Sequence, residues 1–81
     1  MTQQEVLAKV TEIFRDVLDE DSIMLKPETT ADDIDEWDSL THIQLVVAIE
    51  KFFKIRFNSG EISGFKNVGE MCEAISRKLG S

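Results

Sequence analysis

The sequence has very few of the residues that form cross-links or metal sites. Cys72 is the only cysteine, so no disulfide can form within the chain, and we expect a reducing, cytoplasmic location. His42 is the only histidine, and no histidine–cysteine spacing indicates zinc. The acid-rich run from Asp32 to Asp38 departs from the EF-hand pattern at three required positions. We therefore expect no metal site.

Long hydrophobic segments are also absent. No apolar run approaches the roughly 20 residues that cross a bilayer. The first ten residues, MTQQEVLAKV, lack the basic and apolar segments of a secretory signal. We therefore expect no membrane insertion. The 81 residues suffice for one small domain over 1–81, and we expect a monomer because one core is enough for it.

Positive charge is scarce in this chain. Nine basic residues stand against 16 acidic ones, which gives a formal net charge of -7. Such a chain repels polyanions, so we expect no binding to nucleic acid or to anionic membrane surfaces. A basic patch on a partner protein would be attracted. Composition leaves open whether the acids attract such a partner or only keep the chain in solution.

Helical periodicity dominates the sequence and predicts an all-α fold. Three segments are strong and one, the third, is short. Thr2 and Glu5 have the spacing of a capping box, as do Asn67 and Glu70, and Asp38 is a good N-cap. The predicted helices run from about Thr2 to Asp19, from after Asp38 to about Phe53, from near Ser59 to Ser63, and from Asn67 to a stop at Gly80.

A long connection, from about Glu20 to Asp38, joins the first two helices. It contains Pro27, the only proline, and we expect a short helical turn near Ala31 to Asp35. So long a loop in a small domain is generally functional or tied down. Its expected anchors are Ile23, Met24, Leu25, Ile34 and Trp37. Together the segments predict a four-helix bundle with three main helices, one short helix and a long loop.

The second helix carries two apolar stripes, whereas a surface helix needs one. One stripe faces the expected core, and the other consists of Leu40, Ile43 and Val47, with Glu50, Lys51 and Lys54 continuing it. The long loop could cover the second stripe, or the stripe could be exposed as a docking patch. The expected core stripes are Val6, Val10, Ile13, Phe14 and Val17; His42, Leu45, Val46, Ile49 and Phe53; and Val68, Met71, Cys72, Ile75 and Leu79.

Ser39 is the candidate functional residue, because it stands first in the second helix, directly after Asp38. A group esterified to its hydroxyl would project from the helix N-terminus, where partial positive charge and free amides favour a phosphate. In isolation, Asp-Ser more often serves capping alone. A hydrolase triad of Ser39, His42 and Asp38 is set aside, because Asp38 is expected to cap the helix and His42 to face the core.

The run from Asp35 to Glu50, DEWDSLTHIQLVVAIE, resembles the acyl carrier protein family. Its Asp38-Ser39-Leu40 matches the Asp-Ser-Leu attachment motif of that family. The apolar pattern of the family is matched by Leu45, Ile49, Phe53 and Phe57, and the resemblance extends over nearly the whole chain. It implies a four-helix bundle of acyl-carrier type.

The resemblance also implies a function without catalysis. A phosphopantetheinyl transferase would attach 4′-phosphopantetheine covalently to Ser39, with Asp38 as the helix cap beside it. Acyl-loading and acyl-transferring enzymes would then use the thiol of the arm. Partner contacts would come from Leu40, Ile43, Val47 and Glu50. The attached chain could enter a cavity lined by His42, Leu45, Val46, Phe53 and Ile75, although a plain packed core suits most of these residues.

The second helix departs from the family's fatty-acid carriers, in which it is strongly acidic. Thr41, His42 and Gln44 occupy its first turns, and Lys51, Lys54 and Arg56 cluster at its end. We therefore expect a dedicated pathway, such as polyketide, nonribosomal peptide, polysaccharide or lipid modification, with fatty-acid synthesis as the other possibility. The alternative from another class is a small helical interaction module that binds through Leu40, Ile43 and Val47 without a prosthetic group.

Overall fold

The computed structural model describes residues 2–80, whose helices are α1 (Gln3–Leu18), α2 (Ser39–Phe53), α3 (Ser59–Gly64) and α4 (Val68–Lys78), with a 3₁₀ turn at Ala31–Asp33. This part of the chain contains no strand, so the all-α prediction is confirmed, and each predicted helix is present within a residue or two of its expected bounds. None of these helices combines the length and hydropathy required to cross a bilayer.

The capping prediction holds fully for α1 and only in part for α4. Thr2 Oγ1 accepts from Glu5 N at 3.1 Å, and Glu5 Oε1 accepts from Thr2 N at 2.9 Å. At α4, Asn67 Oδ1 accepts from Glu70 N at 2.9 Å. However, Glu70 Oε1 accepts from Lys66 N at 3.1 Å, one residue before the cap. The reciprocal half of the predicted box at α4 is therefore wrong.

The core is formed by single stripes of α1, α2 and α4, joined by loop residues. The largest fully buried side chains are Phe14, Leu45, Ile49, Met71, Ile75, Val6, Val10 and Val68. Full burial of such side chains stabilises by about 1.5–3 kcal/mol each relative to exposure. Ile13, Val17 and Leu79 were expected in the stripes, but each is only half-buried, and Leu79 follows the last residue of α4 as its C-cap.

The long loop is anchored by most of the residues expected to anchor it. Ile23, Leu25 and Trp37 are buried and Ile34 is half-buried. Met24 is 77% exposed, so the expectation for it is wrong. Its two neighbours, Ile23 and Leu25, are both buried, and the side chain of Met24 between them faces solvent. The helical turn is also shorter than expected, because Ile34 adopts extended backbone and ends it.

Two carbonyls of the loop bind the start of α4. Thr29 O accepts from Val68 N at 2.9 Å, and Pro27 O accepts from Gly69 N at 2.8 Å. These are the first two amides of α4, which have no acceptor inside their own helix. Gly69 allows the close approach, because a Cβ at that position would lie 2.9 Å from Pro27 O and 3.3 Å from Pro27 Cβ.

We predict that Gly69→Ala lowers the free energy of unfolding by about 1–3 kcal/mol, as overpacking does, because the added methyl group meets rigid backbone. Gly64→Ala is the matched control, since nothing lies within 4 Å of a Cβ at that position. The control should be neutral or gain up to about 1 kcal/mol from helix propensity. Urea denaturation measures both, and equal effects would contradict the proposed contact.

Candidate functional site

Ser39 is the first residue of α2, and its side chain is exposed. Asp38, just before it, has extended backbone, with φ at -123° and ψ at -171°, so the chain enters the helix through a sharp change of direction. The hydroxyl of Ser39 therefore lies at the surface, where a modifying enzyme can reach it.

Asp38 caps α2 through a reciprocal pair of bonds. Its Oδ1 accepts from Leu40 N at 3.0 Å and from Thr41 N at 2.9 Å, and Thr41 Oγ1 accepts from Asp38 N at 2.8 Å. The hydrogen bond that the backbone N–H of Thr41 donates is the main cause that lowers the pKa of Asp38 below its ordinary value. This carboxylate is therefore ionised at neutral pH.

The cap occupies most of the amides that were expected to be free to bind a phosphate. Of the amides in the first turn, those of Leu40 and Thr41 are taken by Asp38. The amide of Ser39 itself has no acceptor within residues 2–80. The helix start therefore offers one donor, next to a carboxylate that neutralises part of the helix dipole.

His42 connects three segments around Ser39. Its Nδ1 accepts from Trp37 Nε1 in the loop at 3.0 Å, and its Nε2 lies 2.9 Å from Ile62 O in α3. An indole nitrogen can only donate, so Nδ1 carries no proton and Nε2 donates to the carbonyl. His42 thus adopts the Nε2–H tautomer and links α2 to both the loop and α3.

These bonds leave no base for a hydrolase triad. Both ring nitrogens of His42 are already bonded, and Asp38 is bonded to the helix amides. Nucleophilic catalysis would need His42 to accept the proton of Ser39 and an acid to orient the ring. The expectation that set this triad aside agrees with the geometry.

A groove of about 530 Å³ lies beside Ser39, between the start of α2 and α3. Of the five residues considered as a cavity lining, only His42 lines this groove. The other four (Leu45, Val46, Phe53 and Ile75) are buried in the core. Residues from the loop and α2 form one wall and residues from α3 and after it the other: Ala31, Trp37, Asp38, Ser39, His42 and Ile43, then Ile62, Ser63, Phe65 and Lys66.

The second stripe of α2 is exposed. Leu40 is 71% exposed, Ile43 52% and Val47 42%. Trp37, which could have covered the stripe, packs instead edge-on against Phe14 of α1, with ring centroids 4.9 Å apart. The stripe is therefore exposed and not covered by the loop, and its use as a docking patch stays a prediction.

Glu50 and Cys72 both have structural roles. Glu50 is half-buried, and its Oε2 accepts from Phe57 N at 2.8 Å, so its carboxylate holds the turn after α2.

Cys72 is buried, as expected, and burial raises the pKa of its thiol to about 11. Within residues 2–80 no three His, Cys, Asp or Glu side chains are placed to hold a metal ion.

Known proteins similar to this chain are carriers. The family model described as a phosphopantetheine attachment site matches residues 8–75. The acyl carrier protein of Petrotoga mobilis is 37% identical, covering 98% of this chain and 93% of the relative. The holo acyl carrier protein of Geobacter metallireducens has a TM-score of 0.87 at 48% identity, covering 93% of this chain and 86% of that chain. That of Thermotoga maritima has a TM-score of 0.86 at 27% identity, covering 96% and 91%.

Sequence reasoning missed both bonds of His42 and the partner of Asp38 in its cap. The periodicity placed His42 on the core face, but it is only half-buried at the rim of the groove. The available signal was its chemistry, because a half-buried imidazole requires partners for both nitrogens. The box of Asp38 uses Thr41, whereas the usual signature has Glu or Gln at that position.

We predict that long-range ¹H–¹⁵N NMR will show the neutral ring of His42 protonated at Nε2. Trp37→Phe should lower the free energy of unfolding by about 1–3 kcal/mol, because Nδ1 loses its donor. It should also reduce the excess of the Nε2–H tautomer, which then depends on the bond to Ile62 O alone. Phe65→Leu is the control, since Phe65 contacts the His42 ring edge-on without a hydrogen bond to it. The control should keep the tautomer, and a proton found on Nδ1 in the unsubstituted chain would contradict the assignment.

Proposed function

Because this chain belongs to the acyl carrier protein family of phosphopantetheine-binding carriers, we propose that the prosthetic arm is attached to the hydroxyl of Ser39. Members of this family are carriers and not catalysts. The single observation that supports the assignment is the exposed serine at the start of α2, on the rim of a groove. The proposal treats residues 1–81 as one carrier domain that acts as a monomer.

The residues around Ser39 suit a phosphodiester. The Ser39 amide is the remaining donor at the helix start, and helix N-termini favour phosphate oxygens. Asp38 is ionised and lines the same groove, so its charge partly opposes a phosphate there. Lys66 lines that groove and supplies a positive charge there. When bound, the arm supplies a thiol on which acyl groups are held as thioesters.

We predict that apo protein incubated with coenzyme A and a promiscuous phosphopantetheinyl transferase gains the mass of one phosphopantetheine. Ser39→Ala should abolish the gain. Ser63→Ala is the matched control, because Ser63 lines the same groove but its hydroxyl donates to Ser59 O. It should be modified as the unsubstituted chain is.

The same sample gives a second readout. The native thiol of Cys72 is buried with a raised pKa and should react slowly with thiol reagents. Modified protein should therefore gain one fast-reacting thiol, that of the arm. An unchanged mass with an active transferase would instead favour an interaction module without a prosthetic group.

The proposed docking face for partner enzymes is the exposed stripe of Leu40, Ile43 and Val47. An apolar strip beside the attachment point allows a transferase, or an acyl-loading or acyl-transferring enzyme, to bind while its active site reaches the arm. Glu50 was expected to contribute a contact here. Its carboxylate is bound to Phe57 N, so its contribution would be to hold the turn at the end of the face.

We further propose that the carrier serves a dedicated pathway. Polar Thr41, His42 and Gln44 stand where the fatty-acid carriers of the family are acidic, and Lys51 and Lys54 follow. The test compares this chain with the carrier of bacterial fatty-acid synthesis as substrates of that system's transacylase and condensing enzyme. For this chain we expect a kcat/KM at least about tenfold lower, which corresponds to a loss of about 1.4 kcal/mol in recognition. Equal rates would contradict it.

A further inference from the structure

Three cations form a cluster at the end of α2, which we call the basic corner: Lys51, Lys54 and Arg56. They are exposed and line a cavity of about 460 Å³ together with Val47, Glu50 and Ile55. The ion pairs found within residues 2–80 join Lys9 to Glu12 and Lys78 to Glu61, so the corner has no ion pair in this part of the chain.

The backbone of the basic corner is held in one arrangement. Lys54 closes α2 in left-handed conformation, with φ at 57°, and both Lys54 N and Ile55 N donate to Glu50 O. Glu50 Oε2 accepts from Phe57 N, which directs the Glu50 carboxylate toward the turn. A non-glycine residue in this conformation costs about 1–2 kcal/mol. Despite this cost, a charged residue, Lys54, occupies a position at the helix end that glycine would favour.

The basic corner continues the exposed apolar stripe. Positions 40, 43, 47, 51 and 54 follow one another at intervals of three or four residues, so they lie on one face of the helix. The 15 residues of α2 span about 22 Å. Asp35, Glu36 and Asp38 lie at the opposite end, more than two Debye lengths away at a physiological ionic strength of about 0.15 M. The two ends of the face therefore keep separate potentials of opposite sign.

We propose that the protein that docks on this face presents an acidic patch to the basic corner. The inference rests on the proposed function, because it names the partner of the same docking face. The net charge of -7 suggests a basic partner surface. Such a surface still suits the start of α2, near Ser39. About 20 Å along the face the charge is reversed, so complementarity requires carboxylates on the partner there. A partner with a uniformly basic surface would be disfavoured at the corner.

Two synthetic helical peptides test the proposal. Both carry the same leucine stripe, and one has glutamates at one end where the other has glutamines. The full chain is labelled with ¹⁵N and titrated with each peptide. At about 0.15 M salt, where the two ends of the face are screened from each other, the glutamate peptide should bind about 3–10-fold more tightly, from two or three exposed charge pairs. It should shift the amides of residues 47–56, and the difference should vanish at about 0.5 M salt.

A pair of charge-matched variants isolates the basic corner. Lys51→Glu with Arg56→Glu and Lys9→Glu with Lys26→Glu each change the net charge by -4, from -7 to -11. The first variant should lose or reverse the preference for the glutamate peptide, and the second, whose changes lie off α2, should keep it. Thermal unfolding shows whether both variants remain folded, and Lys51→Gln with Arg56→Gln, which only removes charge, should lose the preference if the first variant unfolds.

Each outcome has a defined meaning. Equal binding of the two peptides would show that the basic corner does not select an acidic patch and would overturn the proposal. Tighter binding of the glutamine peptide, or the same change of preference in both charge-matched variants, would show that overall charge governs docking and would also overturn it. Binding away from the α2 face would overturn it as well. Peptide binding does not depend on the arm, so such results would leave the assignment of Ser39 unchanged. Failure of that assignment would appear as an unchanged mass in the transferase assay.

Discussion

The site depends on the two hydrogen bonds of a single imidazole. His42 stands one turn into α2, accepts from the indole of Trp37 and donates to the carbonyl of Ile62. The first bond fixes the loop that leads to Asp38, and the second fixes the opposite wall of the groove. Because indole can only donate, the ring has one neutral arrangement that satisfies both neighbours. The surroundings of Ser39 therefore follow from the chemistry of a residue that does not itself react.

The long loop is ordered because its polar backbone finds partners in the helices. Such a segment would be costly to pack if its carbonyls were left without donors. Pro27 and Thr29 give their carbonyls to the start of α4. Farther back, Arg15 Nε donates to Ile23 O at 2.7 Å and ties the loop to α1. The first part of the loop is thus tied to α1 and its middle to α4, and the buried Trp37 joins its last part to the core.

Local patterns were sufficient to predict the helices and not the contacts between them. Apolar spacing predicted the three long helices, a short helical turn was expected where α3 lies, and the motif around Ser39 predicted which helix start to examine. The bond between Gly69 and Pro27 joins residues 42 positions apart, and no local pattern indicates it. Met24 was assigned inward because it is apolar, although its side chain faces solvent between two buried neighbours. The exposure of the second stripe of α2 also depends on tertiary geometry, since periodicity cannot show whether a loop covers it.

The short length of α3 affects how the groove can behave. Six residues are too few for a helix to be stable by itself. Its position depends on the carbonyl bond to His42, on the pair of Glu61 with Lys78 at 2.9 Å, and on the packing of Phe65. The buried stripes of α1, α2 and α4 do not need this helix to pack on one another. A shift of this one small segment would widen the groove; it would break the bond between His42 and Ile62 and leave the packing of the other three helices in place.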